Sequence, residues 1–563
     1  MKKITRAFAL LLSLVMVLSL FAACGSNGGS DKPADGADDV PPATLIQEAG
    51  GTIEGTAATA QVNKVRVALT NNSFDVSPFA GPSGARDWFV NNLYATLFCQ
   101  PYFGAGLEEL QPWIAESVTK VDDLTYTVKL RENVVDNQGN KITADDVIFS
   151  YEKMYTDSQI AQIGTDMKSM EKVNDYELTI NLAKSGVGII ENLLSNYRMS
   201  IVDKEWFEGA SDEDKVMNPA VTGAYYIKEY VPGSSLIVEA VENYWMPADA
   251  GCSAALQNVK TIEYTVIKEA AMRSIALENG EIDMTQVTAT ELQRFYENGA
   301  AKDGYNVLIN GGNMFNVMLL NMDEKSNSPL ATDINLRKAV LYAVNSEDYL
   351  YAAGNTEATA KVCYSMVSDA YAGFNPEWTK DYWNYDAAKA AQCYADSGKK
   401  AGEVTLRLLS RTNTSDGVHS LLIAELEAVG FKVELMAVDQ ALFNTYKNDS
   451  AQWDICIDSK GTGSHAAQIW DEMFNPAGYQ NGSVCFTHDE TLNEKLAAAT
   501  TGDTAAVNAF HDYLIEIACA KGLIYTMKFT VGQDGILELT PSACFNPRIN
   551  AYVYADNFKS VSE

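Results

Sequence analysis

Histidine is scarce in this chain, and that scarcity removes one class of function. Only His419, His465, His488 and His511 occur in 563 residues. No two stand four apart, so no helix offers the paired imidazoles of a protein-built zinc site. Nine cysteines include no Cys-x-x-Cys spacing, which leaves a zinc ribbon or a thioredoxin-type centre without support. There is no Gly-x-Ser-x-Gly, no His-Glu-x-x-His and no Walker loop, and Gly461-Thr462-Gly463 lacks the third glycine of a dinucleotide turn. The sequence therefore names no catalytic residue and implies no cofactor. Positive charge is also short, with 42 Lys and Arg against 74 Asp and Glu and a net charge of −32. Nucleic acid and anionic lipid surfaces require basic patches, so neither is an expected partner.

Long apolar runs are confined to one place. Ala7 to Ala23, preceded by Lys2, Lys3 and Arg6, is too short to span a bilayer and is flanked like a secretory signal. Leu20-Phe21-Ala22-Ala23-Cys24 resembles the lipobox of bacterial lipoproteins, with Phe21 where leucine is usual. The resemblance implies cleavage before Cys24 and lipid on that residue, at about 0.8 kcal/mol of anchoring per buried methylene. From Gly25 to Asn63 the chain is rich in Gly, Ala, Ser, Asp and Pro, too poor in large apolar residues to offset ordering entropy. It reads as a solvated tether. The expected location is extracytoplasmic, with membrane contact through the lipid anchor alone.

The remaining chain alternates strand and helix signals. Val65 to Leu69, Leu124 to Leu130 and Tyr176 to Leu182 carry period-two alternation. Thr143, with Asp146 three residues on, predicts a helix start from which Val147, Ile148, Tyr151 and Met154 share one face. Tyr225 to Tyr230 and Leu236 to Ala240 flank the turn Pro232-Gly233-Ser234. Helices are predicted over Glu269 to Glu278, Leu336 to Val344 and Asp386 to Ser397. The strand Val404 to Leu409, helix Leu421 to Val429 and strand Val433 to Met436 predict a parallel unit. The fold class is mixed α/β with several lobes.

Ala115-Glu-Ser-Val-Thr-Lys-Val-Asp-Asp-Leu-Thr-Tyr-Thr-Val-Lys-Leu-Arg131, Ile142 to Ser150, Gly223-Ala-Tyr-Tyr-Ile-Lys228, Glu239 to Trp245, Gly280 to Asp283, Leu336 to Val344 and Tyr385 to Gly398 follow one another in the order of a known family. In this respect the chain resembles the extracellular solute-binding proteins of ABC importers, oligopeptide- and dipeptide-binding type (family 5). The resemblance implies a type II periplasmic-binding-protein-like fold, two lobes around a cleft with an extra subdomain. Residues 64–100, 221–300 and 536–563 would share one lobe, 101–220 would form its extra subdomain, and 301–535 the second lobe. Residues 1–23 would be the signal and 24–63 the lipidated cysteine and tether. The implied partners are a peptide or other small solute and the permease subunits of an importer.

Peptide-binding relatives often place an aspartate shortly after the strand Asp454 to Ile457 to meet the peptide's amine. Here the nearest position is Gly463, and Asp458 comes early, which puts amine anchoring in doubt. The loop Gly461, Thr462, Gly463, Ser464 and His465 offers backbone N–H groups for a carboxylate or hydroxyl, or is a plain turn. Asn71, Asn72 and Asp75 follow the first strand, where open α/β sheets expose ligand loops, or form an Asx-turn. Arg411 suits a ligand carboxylate or a surface ion pair. Trp88 and Trp470 stand beside polar loops, where an aromatic face can stack on a solute. His465 is a candidate single ligand to a chelated metal. Two other readings stand beside the peptide receptor: a non-peptide solute such as an oligosaccharide or metal chelate, and a surface carbohydrate hydrolase. A receptor for one signalling peptide is a third.

Overall fold

A computed structural model describes residues 58–69, 75–79, 86–101, 104–157, 166–380, 382–461, 463–475, 489–538, 548–556 and 558. The expected signal, Cys24, the tether up to residue 57, Asn71, Asn72 and Thr462 lie outside them.

Alternation sets up the smaller sheet. Thr125–Leu130 and Glu177–Leu182 each bury every second residue, and pair antiparallel between Ala115–Lys120 and Met167–Asn174. The helix Ala144–Asp157 buries Val147, Tyr151 and Met154. Asp146 holds its start, accepting from Thr143 N at 2.7 Å and Thr143 Oγ1 at 2.8 Å. The turn at Pro232-Gly233-Ser234 closes the hairpin Tyr225–Val231 and Ser235–Ala240, with Gly233 at φ 74°. Gly223, just before it, donates to Leu93 O at 2.9 Å, and a Cβ there would stand 2.6 Å from Leu93 C. Gly223→Ala is expected to lower stability by about 1–3 kcal/mol through overpacking, read from urea unfolding. A loss under 0.5 kcal/mol would count against that packing account.

The large sheet runs in the order Lys432–Val438, Thr405–Arg411, Ile455–Lys460, Tyr305–Leu320, Ala520–Gln533, Met284–Val287, Val62–Leu69, Val259–Val266, Ser235–Ala240, Tyr225–Val231, and Ala360–Val362 pairs Ala520–Gln533 off that path. Thr405–Arg411 and Lys432–Val438 are parallel, with Asp416–Val429 as the crossover helix.

Two large hydrophobic cores share this sheet. One gathers buried residues from Val62 to Tyr264, with Met284, Leu308 and the segment Ile536 to Tyr554. The other gathers Phe315 to Tyr525. Tyr305–Leu320 serves both, and Ala520–Gln533 serves the second and a small third cluster. On the first, Leu308 and Phe315 belong to different cores; on the second, Tyr525 closes one core and Phe529 joins a small cluster with Ile282 and Val307 beside the first. The stretch between carries the irregularity. From Gly311 to Phe315 four residues advance on one strand, while the partner moves only from Met527 to Tyr525. Gly311 and Gly312 weaken pairing there, and a bulge lets strands bend without parting. The irregularity falls where these strands pass from one core to the next, the level called the hinge below.

Across from the hinge the lobes touch. Lys184 Nζ lies 3.3 Å from Asp471 Oδ2, and Val187 N donates to Thr500 O at 2.8 Å. Gly188 meets the Gln468 side chain so closely that a Cβ would overlap its carboxamide. A Cβ at Gly104 would sit 3.3 Å from Ser464 O.

Candidate functional site

The loop after Ile455–Lys460 is organised from below. Asp458, 1% exposed, accepts from Arg411 Nη2 at 2.5 Å and faces Lys447 Nζ at 3.3 Å and Lys460 Nζ at 3.6 Å; Lys460 also reaches Glu472 at 3.5 Å. Burial alone would raise the Asp458 carboxyl, but Lys460, Lys447 and Arg411 together hold it down at about 2. Arg411 is thereby committed: it bonds Asp458 and Gln440, with its guanidinium 3.8 Å over the Phe443 ring. The expectation that Arg411 meets a ligand carboxylate does not fit this geometry. Asp458 likewise points down into the lobe, away from an amine site.

The N–H groups of Ser464 and His465 are also taken. Gln468 Oε1 accepts from Ser464 N at 2.8 Å and His465 N at 3.0 Å, and Ser464 O accepts from Ala372 N. His465 Nδ1 accepts from Ala467 N at 3.1 Å, capping the helix Ala466–Phe474. Burial lowers its ring to about 4. His465 is thus neutral, with Nδ1 in the cap and Nε2 packed against Gly373. Gly461 packs on Met314, and Gly463 turns at φ 74°. Asp75 forms the Asx-turn, accepting from Ser77 N at 3.0 Å. Trp88 and Trp470 are core residues, 7% and 0% exposed, and Trp470 Nε1 donates to Met366 O. Among the described residues no group of three or more His, Cys, Asp or Glu is placed to hold a metal ion.

Buried polar atoms without a partner are spread along the described chain from Arg86 to Tyr552, and four of them lie on Asp87, Asn91, Arg198 and Gln286. Asp87, in the short 3₁₀ turn Arg86–Trp88, hydrogen-bonds Tyr197 and faces Arg198 Nη2 at 3.7 Å and Lys528. Burial raises its carboxyl, opposed by Arg198 and Tyr197. Asp87 Oδ1, Arg198 Nε, Asn91 Oδ1 and Gln286 Nε2 are buried atoms with no hydrogen-bond partner. Gln286 pairs with Thr530, so Lys528, two residues along the same hinge strand, is its diagonal neighbour on that face. Buried polar atoms are normally partnered. The sequence analysis missed Asp87 and Arg198. The only signal was charge inside apolar runs, Arg86-Asp87 before Trp88-Phe89-Val90 and Arg198 before Met199.

Two cavities flank the hinge. One of about 560 Å³ lies between the lobes, with Thr290, Gln293 and Tyr296 on one side and Gly354, Thr356 and Thr359 on the other. The second, about 410 Å³, is lined by Tyr525, Asp369, Val367, Tyr364 and Phe374, and Tyr525 hydrogen-bonds Asp369. Both fall within the size range of small-solute sites.

Behind Trp470, His511 stacks on Trp378 with centroids 4.4 Å apart and planes 8° from parallel. It is 3% exposed and neither ring nitrogen has a hydrogen-bond partner. Asp512, 3.9 Å from Nδ1, is itself 80% exposed. Burial lowers the His511 ring to about 3. The unfolded chain binds a proton near pH 6.5 and the folded one does not, so stability falls as pH drops from 6.5 toward 3, by roughly 1.4 kcal/mol per unit. Between pH 7 and pH 5 the wild type should lose about 2 kcal/mol more than His511→Phe in urea unfolding. Equal losses would refute the assignment.

Comparison with known proteins follows the same architecture. The chain is 24% identical over 297 residues to the oligopeptide-binding protein AppA of Bacillus subtilis (strain 168), an alignment covering 51% of each chain. It is 22% identical over 428 residues to the nickel-binding periplasmic protein of Escherichia coli (strain K12), covering 68% of this chain and 77% of that one. Its fold superposes on the ABC transporter substrate binding protein CtaP of Listeria monocytogenes with a TM-score of 0.71 at 18% identity, covering 88% of this chain and 100% of that one. The chain spans about half the length of the first curated relatives it matches, from 40% to 57% across three of them. Residues 109–481 match the family described as bacterial extracellular solute-binding proteins, family 5 Middle. The chain belongs to that family.

Proposed function

We propose that this protein is an extracytoplasmic receptor that captures a peptide or peptide-sized solute by hinge closure and presents it to the permease of an ABC importer. The observation that carries the reading is the pair of long strands that run from one core toward the other and lose register between Gly311 and Val317. Contacts of the Lys184–Asp471 kind then meet only when the lobes are shut. Lipid on Cys24 would hold the receptor at the membrane. No helix among the described residues is long and apolar enough to cross it. The relatives are binding proteins, which supports a non-enzymatic role.

The solute's polar ends would meet Asp87, Arg198 and Gln286. A peptide amine could pair with Asp87, in place of the aspartate absent at Gly463. A second reading, a non-peptide solute, is favoured by one observation: Asp458, the only carboxylate on the strand Ile455–Lys460, is locked among three cations.

Non-denaturing mass spectrometry of the protein purified from its native host separates the two. Adducts spaced by amino-acid masses support a peptide carrier, and one discrete non-peptide mass overturns it. With the bound solute in hand, Asp87→Ala and Arg198→Ala should each weaken binding at least tenfold by calorimetry, about 1.4 kcal/mol or more. Unchanged affinity in both would remove this cluster from the site.

A further inference from the structure

Three stretches of chain far apart in sequence meet at two thiols. Cys99 ends the strand Phe98–Cys99, which pairs with Gln111–Pro112. Cys252 immediately precedes the 3₁₀ turn Ser253–Ala255. Ser253 N and Oγ both donate to Gln111 Oε1 at 2.9 Å, drawing the two stretches together. Arg548 arrives from the C-terminal segment, its Nη1 donating to Cys99 Sγ at 3.2 Å and to Ser253 Oγ, its Nη2 to Gln100 O. Cys99 Sγ lies 3.8 Å from the hydroxyl of Ser253, the residue after Cys252, and the two thiols, both free in this structure and 2% and 3% exposed, share a hydrogen bond. The other described cysteines, Cys363, Cys393, Cys456 and Cys519, share no such bond with one another.

We propose that Cys99 and Cys252 become a disulfide once the chain has left the cytoplasm. This rests on the export reading and on no assumption about the solute. The chemistry is thiol–disulfide exchange with an extracytoplasmic disulfide oxidant. Cys99 thiolate attacks one sulfur of the oxidant, forming a mixed disulfide and releasing the other sulfur as a thiol. Cys252, losing its proton, then attacks Cys99 Sγ and releases the second thiol. Two thiols are oxidised, and one disulfide is reduced to a dithiol. In the finished fold the bond from Cys252, against the effect of burial and with Arg548 alongside, brings the Cys99 thiol down to about 6. Both sulfurs are buried in the folded protein, so the exchange belongs to folding, before the Arg548 segment closes over them.

The bond would tie the neck of the smaller-sheet region. The cross-link would join the strand Phe98–Cys99, before the smaller sheet, to the turn Ser253–Ala255, after the hairpin Tyr225–Ala240, and hold the platform on which Arg548 sits.

The test uses the full chain recovered from outside a secreting bacterial host; its appearance there checks export separately. The protein is acid-quenched, denatured, alkylated without reductant and digested. A Cys99-containing peptide linked to the Cys252-containing peptide is expected, with Cys393 alkylated as internal control. Quantitative alkylation of both Cys99 and Cys252 would overturn the proposal. Reductant should lower the melting temperature by roughly 5–10 °C. Cys99→Ser/Cys252→Ser should melt alike with and without it. A wild type indifferent to reductant would also count against the bond.

Discussion

Asp458→Ala should cost the second lobe about 3–5 kcal/mol, the usual penalty for stripping one partner from a buried ionic network. The reason is what it leaves behind. Lys460 and Lys447, 3% and 7% exposed at the side chain, and Arg411 would keep their charges with Glu472 as the one carboxylate close to Lys460. The effect should appear as an early calorimetric transition for that lobe, while the first lobe's transition stays put. Asp458→Asn, which keeps the shape and removes the charge, should fall nearly as far. The pH sign follows from a carboxyl held down at about 2. Its contribution is present above the ordinary carboxylate range and is lost as pH falls through 2. A loss under 1 kcal/mol in the alanine variant would mean the cations find water or other partners.

Gly188→Val is expected to leave each lobe folded and to weaken solute binding about thirtyfold. Gly188 sits at φ 75° at the start of the helix Ile189–Ser195, against the Gln468 carboxamide of the opposite lobe. A flexible side chain could ordinarily step aside. Gln468 cannot do so freely, because its Oε1 accepts from Ser464 N, Ser464 Oγ and His465 N. Closing on a valine would sacrifice about two of these bonds, near 1 kcal/mol each, and only the closed state bears that loss. The backbone strain at positive φ falls on open and closed states alike and so lowers stability without touching affinity. Small-angle scattering should show the wild type contracting on adding solute and the variant contracting less. Unchanged affinity with full contraction would sink the rim account.

The sequence made local structure legible wherever one face of an element is wet. The alternation of Thr125–Leu130, the Thr143–Asp146 start and the Asp386 cap, which accepts from Lys389 N at 2.9 Å, all reappear in three dimensions. The two hinge strands were not legible. Tyr305–Leu320 is interrupted by Gly311 and Gly312, and Ala520–Gln533 is buried on both faces through Leu523 and Ile524, so period-two alternation is absent from each. The site was harder still. Arg411, His465 and Trp470 are residue types that suit a ligand, but their partners, Asp458, Ala467 N and Met366 O, are chosen by tertiary packing that no local window reports. Asp87 and Arg198 stand 111 positions apart in sequence and have meaning only as neighbours 3.7 Å apart.

The placement of Ala520–Gln533 has a consequence for how the molecule is made. This strand is among the last described elements, yet it lies in the middle of the sheet, between Tyr305–Leu320 and Met284–Val287. A chain emerging from its amino end cannot complete the sheet of either lobe until that strand arrives. Pairings this distant in sequence form slowly, because loop closure precedes their reward. Such a polypeptide would stay threadable through a narrow conduit for most of its emergence and would lock only at the end. The architecture that lets the lobes swing also delays the moment at which the chain becomes too compact to be moved.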